Sequence, residues 1–317
     1  MARQRKRKGN PVHGWLCLDK PLEMTSTQAV GVLKRVYQAQ KVGHGGTLDP
    51  LATGILPIAF GNATKTVAWA MDADKTYRFT VSWGVSTASY DAEGVEIARS
   101  DVRPERAAID AALPEFIGEI AQVPPKFSAI KVDGQRAYDL AREGEDFELE
   151  ARPVTVRDAQ LVSIEDGVSA TFEFRTGKGF YVRALARDLA HALGTEGHIT
   201  ALRRTQVGVF DEANAVTIAE IEALVEAGDT TRLDALLAPI ETALDDIPLV
   251  DISTADASQI LNGQAVVLLP HIVEHWRENR SPRADDERLA VAMAGDRAVA
   301  LGEVRAGRFQ PVRVFAG

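Results

Sequence analysis

Strand-like and helical segments follow each other irregularly over residues 14–247, and this order constrains the possible fold more than any other feature of the chain. One, two or several predicted strands separate consecutive helices. A doubly wound fold needs a regular strand–helix rhythm, so we predict an α+β fold. The spacing of apolar residues predicts helices at about 26–40, 63–71, 104–120, 181–193 and 217–227.

The pattern changes near Asp246-Ile247-Pro248, where the chain turns to short β-like runs separated by turn residues. Such runs are typical of a small β-barrel, and 317 residues suit one large and one small domain. The runs lie at 265–269, 289–294, 298–304 and 312–315. We therefore predict a basic flexible arm at 1–12, a large domain at 13–247 and a small barrel at 248–317.

Composition and the first residues bear on where the protein works. No apolar run approaches the roughly 20 residues that span a bilayer. The basic start, MARQRKRKGN, is followed by no long apolar segment, which argues against a signal peptide. The single Cys17 cannot form an internal disulfide, as is usual in a reducing compartment. We predict a cytoplasmic protein with no membrane partner.

One short segment matches a metal motif. Residues 271–275 (HIVEH) fit the HxxEH pattern of some zinc proteases, but a pattern with two open positions is weak without its structural context. A single cysteine also excludes a CxxC zinc site. We predict no structural or catalytic metal.

Charge is segregated along the chain. The net charge of −9 argues against a uniform polyanion binder. Residues 1–10 nevertheless hold only basic charges, and residues 221–251 hold eight acids and only Arg232. A third stretch, 175–204, is again basic, through Arg175, Lys178, Arg183, Arg187, Arg203 and Arg204 against Asp188 and Glu196. Two interpretations stay open on charge alone, namely ordinary solvated faces and a nucleic-acid-binding face beside an acidic one.

The glycine-rich loop at 43–54 is the most unusual segment. Its glycines allow positive φ angles and a close approach of the backbone to a ligand. Asp49 precedes Pro50, which biases it toward an extended conformation and suits a carboxylate held for nucleophilic or acid–base work. Alternatively, Asp49 caps a helix that starts at Leu51, and the local pattern alone favours this cap. The loop fits neither a Walker A nor a Rossmann motif.

The same loop carries a family resemblance. Residues 45–54 (GGTLDPLATG) closely resemble the catalytic-aspartate signature of the TruB pseudouridine synthases. Further blocks follow in the order that the family has, and together they cover residues 14–210, which argues against a chance match. These blocks are Asp19-Lys20-Pro21, 75–94, 124–134 (PPKFSAIKVDG), 177–189 and Leu202-Arg203-Arg204.

The resemblance implies a fold and an activity. It implies a pseudouridine synthase catalytic domain at 13–247, with a mixed, largely antiparallel sheet flanked by helices, and a PUA-like RNA-binding barrel at 248–317. The implied reaction turns the T-loop uridine of tRNA, position 55, into pseudouridine on a flipped-out base, without cofactor or metal. The implied partner is the T-arm stem-loop of tRNA, bound by a monomer that needs no other protein.

The resemblance assigns catalytic roles to three residues. Asp49 would be the nucleophile. Arg183 would pair with it, because a nearby guanidinium keeps a carboxylate ionised and in place. Tyr77 would stack on the flipped base. From local pattern alone, Arg183 is a solvent-facing helix residue and Tyr77 is as readily a core aromatic of a strand.

Four further residues are implied to bind the substrate. Tyr181 and Leu202 would line the uridine pocket, although Leu202 alone cannot be told from a core residue. His44 would insert into the RNA loop, whereas a lone loop histidine is more often an ordinary surface residue. Lys20 would be a pocket or backbone contact of the substrate. The basic helix with Arg183 and Arg187 is also expected near phosphates.

The chain departs from the family pattern in places. Glu23 stands where a glycine is expected, Phe127 stands where a tyrosine is common, and the polar stretch 274–287 looks like an inserted loop. Two other functions stay open. One is a guide-RNA-dependent synthase, which the compact length without a lysine-rich tail disfavours. The other is a tRNA chaperone in which catalysis is incidental.

Overall fold

The structure is a computed structural model that describes residues 9–128, 130–132, 134–145, 147–281 and 286–316, except the side chain of Arg136. Most of the predicted basic arm, including Arg3, Arg5, Lys6, Arg7 and Lys8, lies outside these residues. The helices are α1 (Ser26–Val36), α2 (Val67–Asp72), α3 (Arg106–Ala112), α4 (Ala137–Glu143), α5 (Val182–Ala192), α6 (Ile218–Glu226), α7 (Thr230–Ala235), α8 (Thr254–Leu261) and α9 (Pro270–Glu278). The strands are β1 (Gly14–Lys20), β2 (Val42–His44), β3 (Ala52–Phe60), β4 (Lys75–Trp83), β5 (Val85–Thr87), β6 (Glu96–Arg99), β7 (Gly118–Gln122), β8 (Lys131–Val132), β9 (Gln135–Arg136), β10 (Arg152–Glu165), β11 (Ser169–Thr176), β12 (Gly197–Val207), β13 (Phe210–Asp211), β14 (Val216–Thr217), β15 (Leu249–Asp251), β16 (Val266–Val267), β17 (Leu289–Ala294), β18 (Arg297–Arg305) and β19 (Arg308–Val314).

A ten-stranded sheet forms the larger part of the molecule. Its order is β14-β1-β3-β12-β4-β11-β10-β7, with β2 added beside β3 and β13 beside β12. The pairs β1–β14 and β3–β12 are parallel, and the other pairs are antiparallel. This mixed, largely antiparallel sheet confirms the predicted α+β fold.

Three hydrophobic clusters pack on this sheet, and two of them meet at Leu202. One packs α5 and α3 against β4, β11 and β12, around Phe79 and Phe172. The other packs α1, α6 and α7 against β1 and β3, around Leu18 and Phe60. Leu202 on β12 contacts both clusters. The strands β3, β12 and β4 are neighbours at the junction, so residues that are distant in sequence meet there.

The C-terminal strands form a second sheet of five, ordered β15-β17-β18-β19-β16. This curled sheet, with α8 and α9 packed on it, agrees with the predicted PUA-like module. The stretch predicted to be an inserted loop, 274–287, begins instead inside α9, where Val273 and Trp276 are buried. Residues 282–285 of that stretch lie outside the described residues. The change of sheet supports a boundary near 247, which stays a prediction.

Several predicted element bounds were wrong. The helix predicted at 26–40 ends at Val36, because Gln38 has a left-handed φ of 48° and turns the chain. The helix predicted at 104–120 gives way after Ala112 to a short 3-10 turn with Pro114 and then to β7. The strand predicted at 206–210 covers the end of β12, which runs from Gly197 to Val207, and the first residue of β13.

Glu23 keeps a turn in which the family pattern has a glycine. Its backbone keeps a left-handed φ of 62°, and its N–H donates to the Pro50 carbonyl at 2.9 Å, so the turn is retained. A side chain in this region costs about 1 kcal/mol or more, and glycine avoids most of that cost. The gain is partly offset, because glycine also raises the entropy of the unfolded chain.

We therefore expect Glu23→Gly to raise the free energy of unfolding by about 0.5–1 kcal/mol, measured by denaturant titration. Glu105→Gly is the matched control, because Glu105 is exposed with an ordinary φ of −83° and makes no side-chain cap. That variant should be neutral or destabilised. A loss of stability in Glu23→Gly equal to that of the control would show that the turn is not strained.

Candidate active site

An open cleft of about 300 Å³ lies where β3, β12 and α5 meet. It brings together three residues that the sequence singled out, Asp49, Arg183 and Leu202. The complete lining, here called the Asp49 cleft, is Asp49, Leu51, Ala52, Asp91, Arg183, Ile199, Thr200, Ala201 and Leu202.

Asp49 lies in the loop at 45–51 between β2 and β3, here called the Asp49 loop. No helix starts at Leu51, because strand β3 begins at Ala52 and continues to Phe60. The helix-cap interpretation of Asp49 was therefore wrong. The Asp49 carbonyl accepts a hydrogen bond from the Ala52 N–H at 3.0 Å, and the side chain remains 47% exposed. An exposed carboxylate on a fixed turn can reach a ligand in the cleft.

Arg183 lies in the first turn of α5 and is buried, so its interpretation as a solvent-facing residue was wrong. Its Nη2 atom is 2.8 Å from Asp49 Oδ2, which is the predicted pairing. The guanidinium also donates to the carbonyls of Phe127, at 3.0 Å, and Ser89, at 3.3 Å. These bonds hold the cation in one position against the carboxylate.

Asp91 is a second carboxylate on Arg183, with Oδ2 at 3.4 Å from Nη1. It is held by its own turn, since its Oδ1 accepts the Glu93 N–H and the Ser89 hydroxyl, and its carbonyl accepts the Thr87 hydroxyl. The sequence analysis gave Asp91 no role, although it lies in one of the resembling blocks. Arg183 is thus shared by one exposed and one mostly buried carboxylate.

Lys20 bonds the Asp49 loop at the Pro50 carbonyl and does not line the cleft. Its side chain is fully buried, and Nζ donates to the carbonyls of Met24 at 2.7 Å, Pro21 at 2.8 Å and Pro50 at 3.5 Å. Burial lowers its pKa to about 8, and the nearby Asp49 charge opposes this lowering. These are contacts within the protein, so the predicted contact of Lys20 with the substrate stays a prediction.

Ser26 fixes the same loop from the other side and was missed by the sequence analysis. Its buried hydroxyl accepts the Leu48 N–H at 2.9 Å and donates to the Leu48 carbonyl at 3.0 Å. Both polar groups of the residue before Asp49 are therefore satisfied by one side chain. The only available signal was that Ser26 begins a predicted helix.

Tyr181 stands immediately before α5 and close to the ion pair. Gln122 on β7 holds its backbone, accepting the Tyr181 N–H at 2.9 Å and donating to its carbonyl at 3.2 Å. Burial raises the pKa of the Tyr181 hydroxyl, and the neighbouring charges of Arg183 and Asp49 act on it in opposite directions. Tyr181 also lines a second hollow, together with Arg152 and Pro124.

Tyr77 and His44 are not part of the cleft lining. Tyr77 on β4 is opposite Arg204 on β12 and packs against the larger core cluster. His44 ends β2, and its Nδ1 atom is buried without a hydrogen-bond partner within the described part of the chain. Burial, together with the charge of Arg204, lowers the pKa of His44. A neutral imidazole with an unused ring nitrogen can serve as donor or acceptor to a ligand.

The two arginines of α5 are engaged inside the protein. Arg187 bonds Asp188 at 2.7 Å and the Val123 carbonyl at 2.8 Å, and it lies 5.3 Å from the ring centre of Tyr90. Both guanidinium groups are mostly buried, with side chains 14% and 9% exposed. The predicted contact of this helix with phosphates is therefore not supported by the structure.

The metal motif at 271–275 falls on α9, where His271 and His275 are exposed. Across residues 9–281 and 286–316, apart from the undescribed positions 129, 133 and 146, no group of three or more potential ligands is arranged to hold a metal ion. Within those same residues, no helix has the length and apolar character needed to cross a membrane.

Comparison with known proteins places the chain in a family. The TruB family pseudouridylate synthase N-terminal domain matches residues 34–182, and the tRNA pseudouridylate synthase B C-terminal domain matches 183–245. A tRNA pseudouridine synthase B from Caulobacter vibrioides is 55% identical over 98% of both chains. One from Bradyrhizobium diazoefficiens is 50% identical over 99% of this chain and 90% of its own.

Solved structures agree with this placement. A chain of a Cbf5-Nop10-Gar1 complex is 25% identical, with a TM-score of 0.71 over 99% of this chain and 91% of its own. A chain of an H/ACA RNP bound to a substrate RNA has the same fold, at 23% identity and a TM-score of 0.72 over 100% of this chain and 92% of its own. The curated relatives are identical to this chain at about half of the aligned positions, over nearly its whole length. The chain therefore belongs to the TruB family of tRNA pseudouridine synthases.

Proposed function

We propose that this enzyme converts the T-loop uridine at position 55 of tRNA into pseudouridine, with Asp49 as the nucleophile. One observation carries the proposal. Asp49 is the exposed member of a carboxylate–guanidinium–carboxylate cluster, whereas its partners Arg183 and Asp91 are mostly buried. A substrate that enters the Asp49 cleft therefore meets an accessible carboxylate, which the buried cation holds in one orientation.

The reaction is an isomerisation, and the cleft suits its requirements. Asp49 forms a transient covalent bond to the uridine and is released when the product forms. The bond from N1 of uracil to C1′ of ribose breaks with its electron pair on N1, the base turns over, and C5 forms a new bond to C1′. C5 then loses a proton and N1 gains one, so the product is an isomer of the substrate. No electron is gained or lost, so a nucleophile and a pocket that retains the detached base are sufficient. Asp49 supplies the nucleophile, and the cleft lining that includes Ile199 and Leu202 supplies the pocket for the detached base.

The base must leave its stack in the RNA loop to reach Asp49. Tyr77 is proposed to stack on the flipped base, and Tyr181 to close the pocket beside the ion pair. His44 is proposed to contact the RNA loop, because it ends β2 just before the Asp49 loop and is only partly buried. Lys20 is proposed to act only through the loop that it supports, because it is fully buried.

The tRNA T-arm is the proposed partner, bound without an obligatory second protein. The curated relatives that support this partner are named tRNA pseudouridine synthase B and are about twice as similar to this chain as the complexes with partner proteins. We also propose the domain limits at 247 and 248, with the small barrel contacting RNA outside the T-loop.

The test maps pseudouridine by base position after incubation of the enzyme with an unmodified tRNA transcript. We expect a single new pseudouridine at position 55, and none in a transcript with cytidine at that position. An isolated T-arm stem-loop should also be modified. Modification elsewhere in the wild-type transcript, or no modification despite tight binding, would overturn the proposed site or activity.

A further inference from the structure

Arg204 lies on β12, two residues after Leu202. It is buried, with only 2% of its surface exposed to solvent. A guanidinium stays protonated in proteins, and burying its charge is costly unless its N–H groups are satisfied. Burial indeed lowers the pKa of Arg204, while its interaction with Tyr77 opposes that lowering. Such a costly side chain calls for an explanation in terms of its partners.

Its partners bracket Asp49 in the chain. The guanidinium donates from Nη2 to the Gly46 carbonyl at 3.0 Å, from Nη1 to the Thr47 carbonyl at 3.4 Å and from Nε to the Ile55 carbonyl at 2.8 Å. The planar guanidinium thus joins the start of the Asp49 loop to strand β3, which follows the loop. A lysine offers one ammonium point and cannot match this geometry.

The backbone of Arg204 is itself fixed between the two neighbouring strands. Its register partners are Gly54 on β3 and Tyr77 on β4. The approach to Gly54 is so close that a Cβ atom there would lie 2.2 Å from the Arg204 carbonyl oxygen. The side chain therefore starts from a rigid point of the central sheet.

We infer that Arg204 is a positioning residue, which fixes the Asp49 loop to the central sheet through its guanidinium. The inference rests on the proposed role of Asp49. Arg204 does not contact the Asp49 cleft, so it acts on the reaction only through the loop that it holds. A displacement of about 1 Å between a nucleophile and its target can cost about 100-fold in rate, even when substrate binding is unchanged.

The adjacent Arg203 provides a matched control. It lies on the same strand, but its side chain is 34% exposed and pairs with Asp19 and Glu212. Arg204→Lys and Arg203→Lys are compared with wild type on a T-arm stem-loop, by single-turnover rate, RNA Kd and amide hydrogen exchange. All rates are measured well below the unfolding temperature of each variant.

We expect Arg204→Lys to lower the single-turnover rate about 100-fold, with the RNA Kd changed by less than about threefold. Exchange should rise in the peptide covering 43–54. Arg203→Lys should change neither quantity by more than about threefold. A near-wild-type rate in folded Arg204→Lys, or equal losses in the two variants, would overturn the inference.

Two further measurements keep the test decisive. If Arg204→Lys does not fold, Arg204→Met fills much of the same buried space without any donor, and a wild-type rate in that variant would then overturn the inference. The proposed function is tested separately, by wild type and Asp49→Asn. If wild type makes no pseudouridine, the exchange of the 43–54 peptide still decides whether Arg204 orders the Asp49 loop.

Discussion

Replacing Asp49 by asparagine is expected to reduce pseudouridine formation by at least about 10⁴-fold, the loss typical of removing a covalent nucleophile. The amide has nearly the shape of the carboxylate but is a poor nucleophile. The fold should survive, because Asp49 is 47% exposed and Arg183 retains Asp91 and two carbonyls as partners. The measurement is the single-turnover rate on a tRNA transcript, together with the tRNA Kd.

Asp74→Asn is the matched control for this variant. Asp74 is a quarter exposed and pairs with Arg157 and Arg175, away from the cleft, so its loss should leave the rate within about twofold of wild type. Unchanged tRNA binding and tRNA refolding by Asp49→Asn would show that any chaperone activity is independent of catalysis. A rate above about one per cent of wild type would rule out Asp49 as the nucleophile.

The fold could be predicted where local signals are strong. Thr25 and Gln28 form the expected capping box, so the start of α1 was right, and the strand at 289–294 was predicted at its true bounds. Strand β12 was largely missed. Leu202 contacts two different hydrophobic clusters, and the two arginines that follow it interrupt the apolar pattern, so no regular alternation marks the strand.

The candidate site depended on the family resemblance much more than on local pattern. From the residues alone, Asp49 was a helix cap and Arg183 a surface residue, and both interpretations were wrong. Ser26, Gln122 and Arg204 received no role, because their partners are mainly main-chain carbonyls and N–H groups. Every residue has such main-chain groups, so the identity of the partner residue does not reveal the contact. Asp91 meets Arg183 across 92 positions, which local spacing cannot reveal.

Removing the Arg183 side chain is the second large effect that we expect. Arg183→Ala leaves Asp49 and Asp91 without their shared cation and two carbonyls without a donor. Breaking a buried ion pair costs about 3–5 kcal/mol, which corresponds to roughly 10²–10³-fold or more in rate if it falls on the reaction. We expect a rate loss of about 10³-fold and a loss of tRNA affinity below about tenfold, because the guanidinium is only 9% exposed and faces Asp49.

Arg183→Lys and Arg175→Lys complete this test. A lysine at 183 keeps the charge but cannot serve two carboxylates and two carbonyls at once, so its rate should lie between those of wild type and Arg183→Ala. Arg175 forms an exposed pair with Asp74, with its side chain 59% exposed, and the same substitution there should be neutral. Equal losses of affinity and rate in Arg183→Ala would mean that Arg183 binds RNA. A rate loss that far exceeds the affinity loss would place Arg183 in the chemistry, because its contribution then arises only once the uridine is already bound.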